Sequence, residues 1–263
     1  MDVLRRNNVT LSGQGSRTMV FAHGYGCDLT AWRAVAPAFM NDWRVVLLDH
    51  VGFGGSDISA FDPERYDSLG AYADDLLEVL EALELNDAVF VGHSMAANVG
   101  MLAAIAQPSR FASLVMVCPS PCFVDDADYT GGFSREDVDD LLEVLDANFL
   151  GWSRSMAPVI MGNQDRPELG TTLESSFCRT DPDIARAAAR VVFLADHRAE
   201  VPRCPARSLV LQTSSDALAP VAVGEWMHQH LPHAEYQLMN ATGHCPHMSA
   251  PEETIAAIRR FVA

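Results

Sequence analysis

Three residues far apart in the chain are of the types that acyl transfer needs. Ser94 stands in Gly92-His93-Ser94-Met95-Ala96, after an apolar run (88–91) and before a small-residue stretch (97–104). A serine between small neighbours at a strand-to-helix junction fits a sharp turn, with its hydroxyl free and backbone N–H groups turned toward it. The fifth position is Ala rather than Gly, still a small residue. Taken alone, the pentapeptide also describes a tight turn with a serine N-cap. A serine hydroxyl is a poor nucleophile near neutral pH, so it needs a base, and the base needs a group that fixes its tautomer. Asp216 follows the run 208–212, and His244 follows the run 235–239 within Thr242-Gly243-His244-Cys245-Pro246-His247. Gly243 and Pro246 make His244 the loop-tip base, with His247 its rival three residues on.

Acyl chemistry also needs donors for the developing oxyanion. His23-Gly24-Tyr25-Gly26 follows the apolar run 18–22. The backbone N–H groups of Tyr25 and Met95 are therefore the expected oxyanion hole. The glycines here do not complete a dinucleotide fingerprint, and none of the other glycine pairs does so. His93 is expected to hold the turn, and Asp49 to organise the loop Asp49-His50-Val51-Gly52-Phe53-Gly54-Gly55. His228, His230 and His233 read as a solvated helix end rather than a metal site.

These loops need elements to position them. The runs 18–22, 44–48, 88–91 and 113–117 are nearly all apolar, as suits strands covered on both faces of a parallel sheet. Between them, 68–85 carries Leu69, Tyr72, Leu76, Leu77, Leu80 and Leu83 at helical spacing. This alternation predicts an α/β fold with a mostly parallel, doubly wound sheet. It stops from 123 to 201, where only helical segments read clearly: one after Ser134, then 152–161, 169–178 and 183–194. Strands resume at 208–212 and 235–239, and a helix closes the chain at 251–262. The expected organisation is a core of 1–122 and 202–263 with a helical lid, 123–201, over the strand C-termini.

Composition narrows the function further. The 263 residues carry a formal net charge of -17, which argues against binding nucleic acid or an anionic membrane. All 18 basic residues are Arg, so Schiff-base lysine chemistry and the phosphate-loop lysine are excluded. No run approaches the ~20 apolar residues of a membrane span, and no secretory leader is visible, so a cytoplasmic location is expected. Six cysteines without a repeating pair are expected to be reduced, and no metal is expected.

The order Ser, Asp, His matches that of α/β-hydrolases. The chain resembles the RsbQ-type branch of that superfamily, which is grouped with the plant karrikin and strigolactone receptor hydrolases. The resemblance rests on His23-Gly24-Tyr25-Gly26-Cys27-Asp28, Gly92-His93-Ser94, Pro119-Ser120-Pro121-Cys122, Tyr129-Thr130-Gly131-Gly132-Phe133, Thr180-Asp181-Pro182-Asp183-Ile184-Ala185 and Gly243-His244-Cys245-Pro246-His247-Met248-Ser249. It implies the α/β-hydrolase fold, a Ser94–Asp216–His244 triad and a V-shaped lid of four helices. It also implies hydrolysis of a small hydrophobic ester or lactone without a cofactor. By the same analogy, Tyr25, Phe123, Trp152, Met156, Phe177, Phe193 and Leu218 would line the pocket. An RsbQ-like signalling role, with slow hydrolysis and a regulatory protein partner, is the alternative. Carbon–carbon bond hydrolysis is a third reading.

Overall fold

The short apolar runs become strands of one sheet in the computed structural model, which describes residues 2–263. They are β1 (Thr10–Ser12), β2 (Arg17–Ala22), β3 (Trp43–Leu48), β4 (Ala88–His93), β5 (Phe111–Val117), β6 (Ser208–Ser215) and β7 (Ala234–Thr242). The seven strands lie in the order β1-β3-β2-β4-β5-β6-β7. All neighbouring pairs are parallel except β1 with β3. The sequence did not signal β1, a three-residue edge strand with only one apolar side chain, the exposed Leu11.

Among the described residues, ten α-helices complete the fold. In the first half they are α1 (Val3–Arg6), α2 (Leu69–Ala82) and α3 (Met95–Ala106). Between β5 and β6 come α4 (Arg135–Ala147), α5 (Phe149–Met161), α6 (Pro167–Phe177) and α7 (Pro182–Phe193). The last three are α8 (Val221–His230), α9 (Pro246–Ser249) and α10 (Pro251–Val262). Helix α2 stops short of the expected 85 because Glu84 turns left-handed (φ 54°) and the Leu85 N–H returns to the Leu80 carbonyl at 2.8 Å. Helix α4 starts as the sequence suggested, in a capping box between Ser134 and Asp137.

Alternation along the strands splits the core into two layers. Val20, Val46, Phe90, Met116 and Val210 pack with Leu76 and Leu80 of α2, Val99 of α3 and Met227 of α8. Met19, Phe21, Val89, Val91, Val115 and Leu211 pack with Trp32, Phe39 and the α10 residues Ile258 and Phe261. The chain leaves β2 for β3 on one side, then crosses to β4 on the other. Strand order therefore reverses between β2 and β4, and a doubly wound sheet opens a crevice at the C-terminal ends of such a pair. The segments that emerge there are His23-Gly24-Tyr25-Gly26 and Ser94. Helices α4–α7 are inserted further along the same edge. An isolated antiparallel bridge between Cys122 and Asp196 ties the two ends of that insertion together.

Candidate active site

Ser94 is the first residue beyond β4, with φ 53° and ψ -116°. A non-glycine residue held in that region stores on the order of 1–3 kcal/mol of strain, which only surrounding structure can maintain. That support is visible. The Ser94 N–H donates to Val117 O of β5 at 2.9 Å, and a Cβ on Gly92 would lie 2.6 Å from the Ala96 carbonyl group. Position 92 therefore admits only glycine, while Ala96 is accommodated fully buried at the start of α3. The Ser94 side chain makes no capping hydrogen bond to α3. Its oxygen faces His244 instead.

The strands β6 and β7 run further than their apolar cores suggested, to Ser215 and Thr242, and so deliver Asp216 and His244 directly at the sheet rim. His244 Nε2 lies 2.8 Å from Ser94 Oγ, and His244 Nδ1 lies 2.8 Å from Asp216 Oδ2. The other carboxylate oxygen of Asp216 accepts from the N–H groups of Leu218 (2.8 Å) and Ala219 (3.1 Å). Two backbone donors thus aim Oδ2 at the imidazole. Gly243 is left-handed (φ 82°), and a Cβ there would strike the Met161 carbonyl at the end of α5. The His244 N–H donates to Ile160 O of the same helix at 2.8 Å.

His93 and His247 are neutral supports. His93 Nε2 donates to the His244 carbonyl at 2.8 Å, and the His93 ring packs against His247 at a tilt of 51°, with centroids 4.4 Å apart. His247 is fully buried and packs on Trp32 rather than facing Ser94. Desolvation pushes the His93 pKa well below its ordinary value and lowers that of His247 to about 3. His23 accepts from the His50 N–H at Nε2 and donates from Nδ1 to Gly24 O, which fixes the loop after β2. Asp49 accepts from Leu29 N, Gly55 N and Asn8 Nδ2, the work of a loop organiser.

That loop lies directly against the Ser94 turn. A Cβ on Gly24 would sit 3.2 Å from Ser94 Cβ. Among the described residues, neither the Tyr25 nor the Met95 N–H donates to a protein acceptor. The Met95 N–H belongs to the first turn of α3, where helix N–H groups lack intrahelical partners and the dipole favours negative charge.

Above Ser94 is an apolar cavity of about 30 Å³. Tyr25, Phe123, Trp152, Phe177, Phe193 and Leu218 line it, together with Cys27, His93, Ile160, Leu173, Val192 and Cys245. Met156 is a correction to the expected lining. It is half-buried against the core and does not reach the cavity, because Trp152 and Ile160, a turn to either side on α5, form that wall. Ile160 and Leu173 could have been found by extending the helical stripe, and Cys245 by its place beside His244. Val192 carried no distinguishing signal. Tyr25 joins the loop to the insertion: its hydroxyl donates to Ala185 O of α7 at 2.9 Å, and its ring meets Trp152, Phe177 and Phe193 at 6.2–6.4 Å. Burial raises the thiol pKa of Cys27 to about 12 and those of Cys118 and Cys245 strongly, so all three stay protonated. Cys118 Sγ, an Asp216 oxygen and a His244 nitrogen lie within 4.8 Å of one another, but the aspartate and histidine atoms already bond each other. Among the described residues, no helix is long and apolar enough to cross a membrane.

Comparison with known proteins agrees with this architecture. The model of the alpha/beta hydrolase family matches residues 19–257. The karrikin insensitive 2 receptor IA of Petunia hybrida is 36% identical over 260 residues, covering 97% of this chain and 93% of that one. The strigolactone esterase D14 of Arabidopsis thaliana is 33% identical, covering 98% and 97%. Among solved structures, the hydrolase olei00960 of Oleispira antarctica superposes with a TM-score of 0.97 at 37% identity, over 99% of this chain and 96% of that one.

Proposed function

Because this chain belongs to the alpha/beta hydrolase family, and is a carboxylic ester hydrolase, we propose that it cleaves a small hydrophobic ester or lactone through a Ser94–His244–Asp216 triad and an acyl-enzyme. The observation that carries the proposal is the unbroken hydrogen-bonded line from Ser94 Oγ through the His244 ring to Asp216, opening on an apolar cavity.

In this mechanism His244 Nε2 takes the Ser94 proton as Oγ attacks the carbonyl carbon. The carbonyl π pair moves to oxygen, where the Tyr25 and Met95 N–H groups receive the negative charge. One such donor is worth roughly 10²–10³ in rate. Asp216 holds the Nδ1 proton in place and stabilises the imidazolium. Collapse of the tetrahedral intermediate breaks the C–O bond, and His244 hands its proton to the departing alkoxide. A water, deprotonated by the same nitrogen, then attacks the acyl carbon and releases the acid and Ser94. No step calls for a cofactor. Helices α4–α7, within residues 123–201, act as the lid that keeps bulk water from the acyl-enzyme.

The experiment is labelling of Ser94 by a fluorophosphonate, with turnover of p-nitrophenyl acetate. Replacing Ser94→Ala removes both; turnover that survives the substitution sinks the mechanism. A second reading, ligand-gated signalling with slow hydrolysis, draws support from relatives that carry receptor names. A specific protein captured only when ligand is present separates it from a purely metabolic role.

A further inference from the structure

Resting on that hydrolase reading, we propose that the substrate has two unlike arms: a small apolar acyl group, and an alcohol arm ending in a carboxylate that Arg33 binds. The cavity at Ser94 holds about 30 Å³, room for roughly two water-sized groups. A short acyl group such as acetyl fits beside Ser94, and the rest of a longer ester extends beyond the cavity.

A cleft of about 200 Å³ adjoins the cavity, with Cys27 and Leu173 forming walls of both. Its remaining lining is of another kind. Arg33, Arg179, Thr30, Thr172, Ser175 and Ser176 surround it, and no carboxylate does. The protons of all four hydroxyls are committed, from Thr30 to the Asp28 carboxylate, from Thr172 to Glu168 O, from Ser175 to Thr171 O and from Ser176 to Gly26 O. Arg179 is engaged with Asp28. Among the described residues, the Arg33 guanidinium has no ion pair or hydrogen bond, which leaves its planar donor fork for a ligand. Asp28 compensates Arg179, so Arg33 carries the uncompensated positive charge of the cleft, which in a chain of net charge -17 selects locally for an anion. The polar arm is the alcohol rather than the acyl arm because the alcohol leaves first. Arg33 is exposed, so an arm in the cleft can depart to solvent while the acyl group stays enclosed on Ser94.

The test compares phenyl acetate with para-carboxyphenyl acetate. In the wild type the ratio of kcat/KM values favours the carboxylate ester, and Arg33→Gln lowers that ratio about tenfold, through KM, as loss of a charge-assisted hydrogen bond should. Added salt lowers it in the wild type as well. A ratio unchanged by Arg33→Gln overturns the proposal. Binding supplies an independent reading: para-carboxyphenyl acetate raises the Tm of Ser94→Ala, and the added Arg33→Gln abolishes the rise. No rise, or one indifferent to Arg33, also overturns the subsite. A wild type that turns over neither ester and takes no fluorophosphonate refutes the hydrolase reading instead, and the binding measurement still decides the cleft.

Discussion

Replacing Asp216→Asn probes the tautomer of His244 with almost no change of shape. Asp216 Oδ1 accepts two backbone hydrogen bonds, from Leu218 and Ala219, while Oδ2 faces His244 Nδ1. An asparagine amide must choose between these sides. With its oxygen on the backbone donors, both bonds survive and the NH₂ group meets Nδ1, which must then accept. The ring proton moves to Nε2 and points at Ser94 Oγ, so the base is lost. The opposite orientation turns NH₂ toward two backbone N–H groups. Each buried donor left unsatisfied costs about 1–3 kcal/mol, so the productive orientation lies ~2–6 kcal/mol higher. That corresponds to a loss of roughly 30-fold to 10⁴-fold in kcat, whose upper end is the effect of this substitution in a serine protease triad. The assay is steady-state turnover of p-nitrophenyl acetate with a parallel fluorophosphonate labelling rate, and both should fall together. The Tm should move by no more than ~4 °C, the effect of about 1 kcal/mol in a protein of this size. A folded variant that keeps more than a tenth of wild-type kcat would show that Asp216 does not set the imidazole tautomer.

Two other perturbations read the supports of the site. Gly24→Ala places a methyl group 2.6 Å from His93 Nδ1, and the ring cannot retreat because its other nitrogen holds the His244 carbonyl. A stability loss of about 1–3 kcal/mol is expected, with kcat down more than tenfold; unchanged kinetics would mean that the loop shifts freely. His247 titrates at about 3 when folded and near 6.5 when unfolded, so the unfolded chain binds the extra proton between those values. Stability contributed by the neutral ring is complete above pH 6.5 and is lost as pH falls toward 3, by up to ~5 kcal/mol. His247→Leu should flatten the acid limb of a denaturant-monitored stability profile, and an unaltered limb would refute the assignment.

The inner strands β2 to β6 were largely legible because they are short and carry apolar runs buried on both faces. Edge strand β1 was not, since three residues with one apolar side chain carry no period. The four inserted helices could be read as helices from their stripes, but which residues of a stripe face the cavity depends on how α5 and α6 pack. That is why Ile160 and Leu173 line the cavity while Met156 does not. For the site, chain order and strand-end loops were readable. The hydrogen bond from His93 to the His244 carbonyl was not, because 151 residues separate its partners and no local pattern announces it.

The chemistry and the selectivity of this molecule rest on different parts of the chain, and they meet at one loop. Ser94, Asp216 and the loop His23-Gly24-Tyr25-Gly26 follow directly from sheet strands and are held by backbone hydrogen bonds inside the core. Much of the cavity wall comes from the insertion, through Trp152, Ile160, Leu173, Phe177, Val192 and Phe193. If the insertion were only a cover, its movement would leave Ser94, Asp216 and His244 untouched. Yet the His244 N–H is bonded to Ile160 O, and Gly243 has no side chain because the end of α5 occupies that space. Helix α5 therefore cannot move away without releasing a hydrogen bond of the His244 backbone. A ligand that displaces this helix acts on the position of the imidazole as well as on the size of the cavity, so occupancy and turnover are coupled by construction. The same coupling would let a slow hydrolase report its ligand to a partner that touches only the outer face of the insertion.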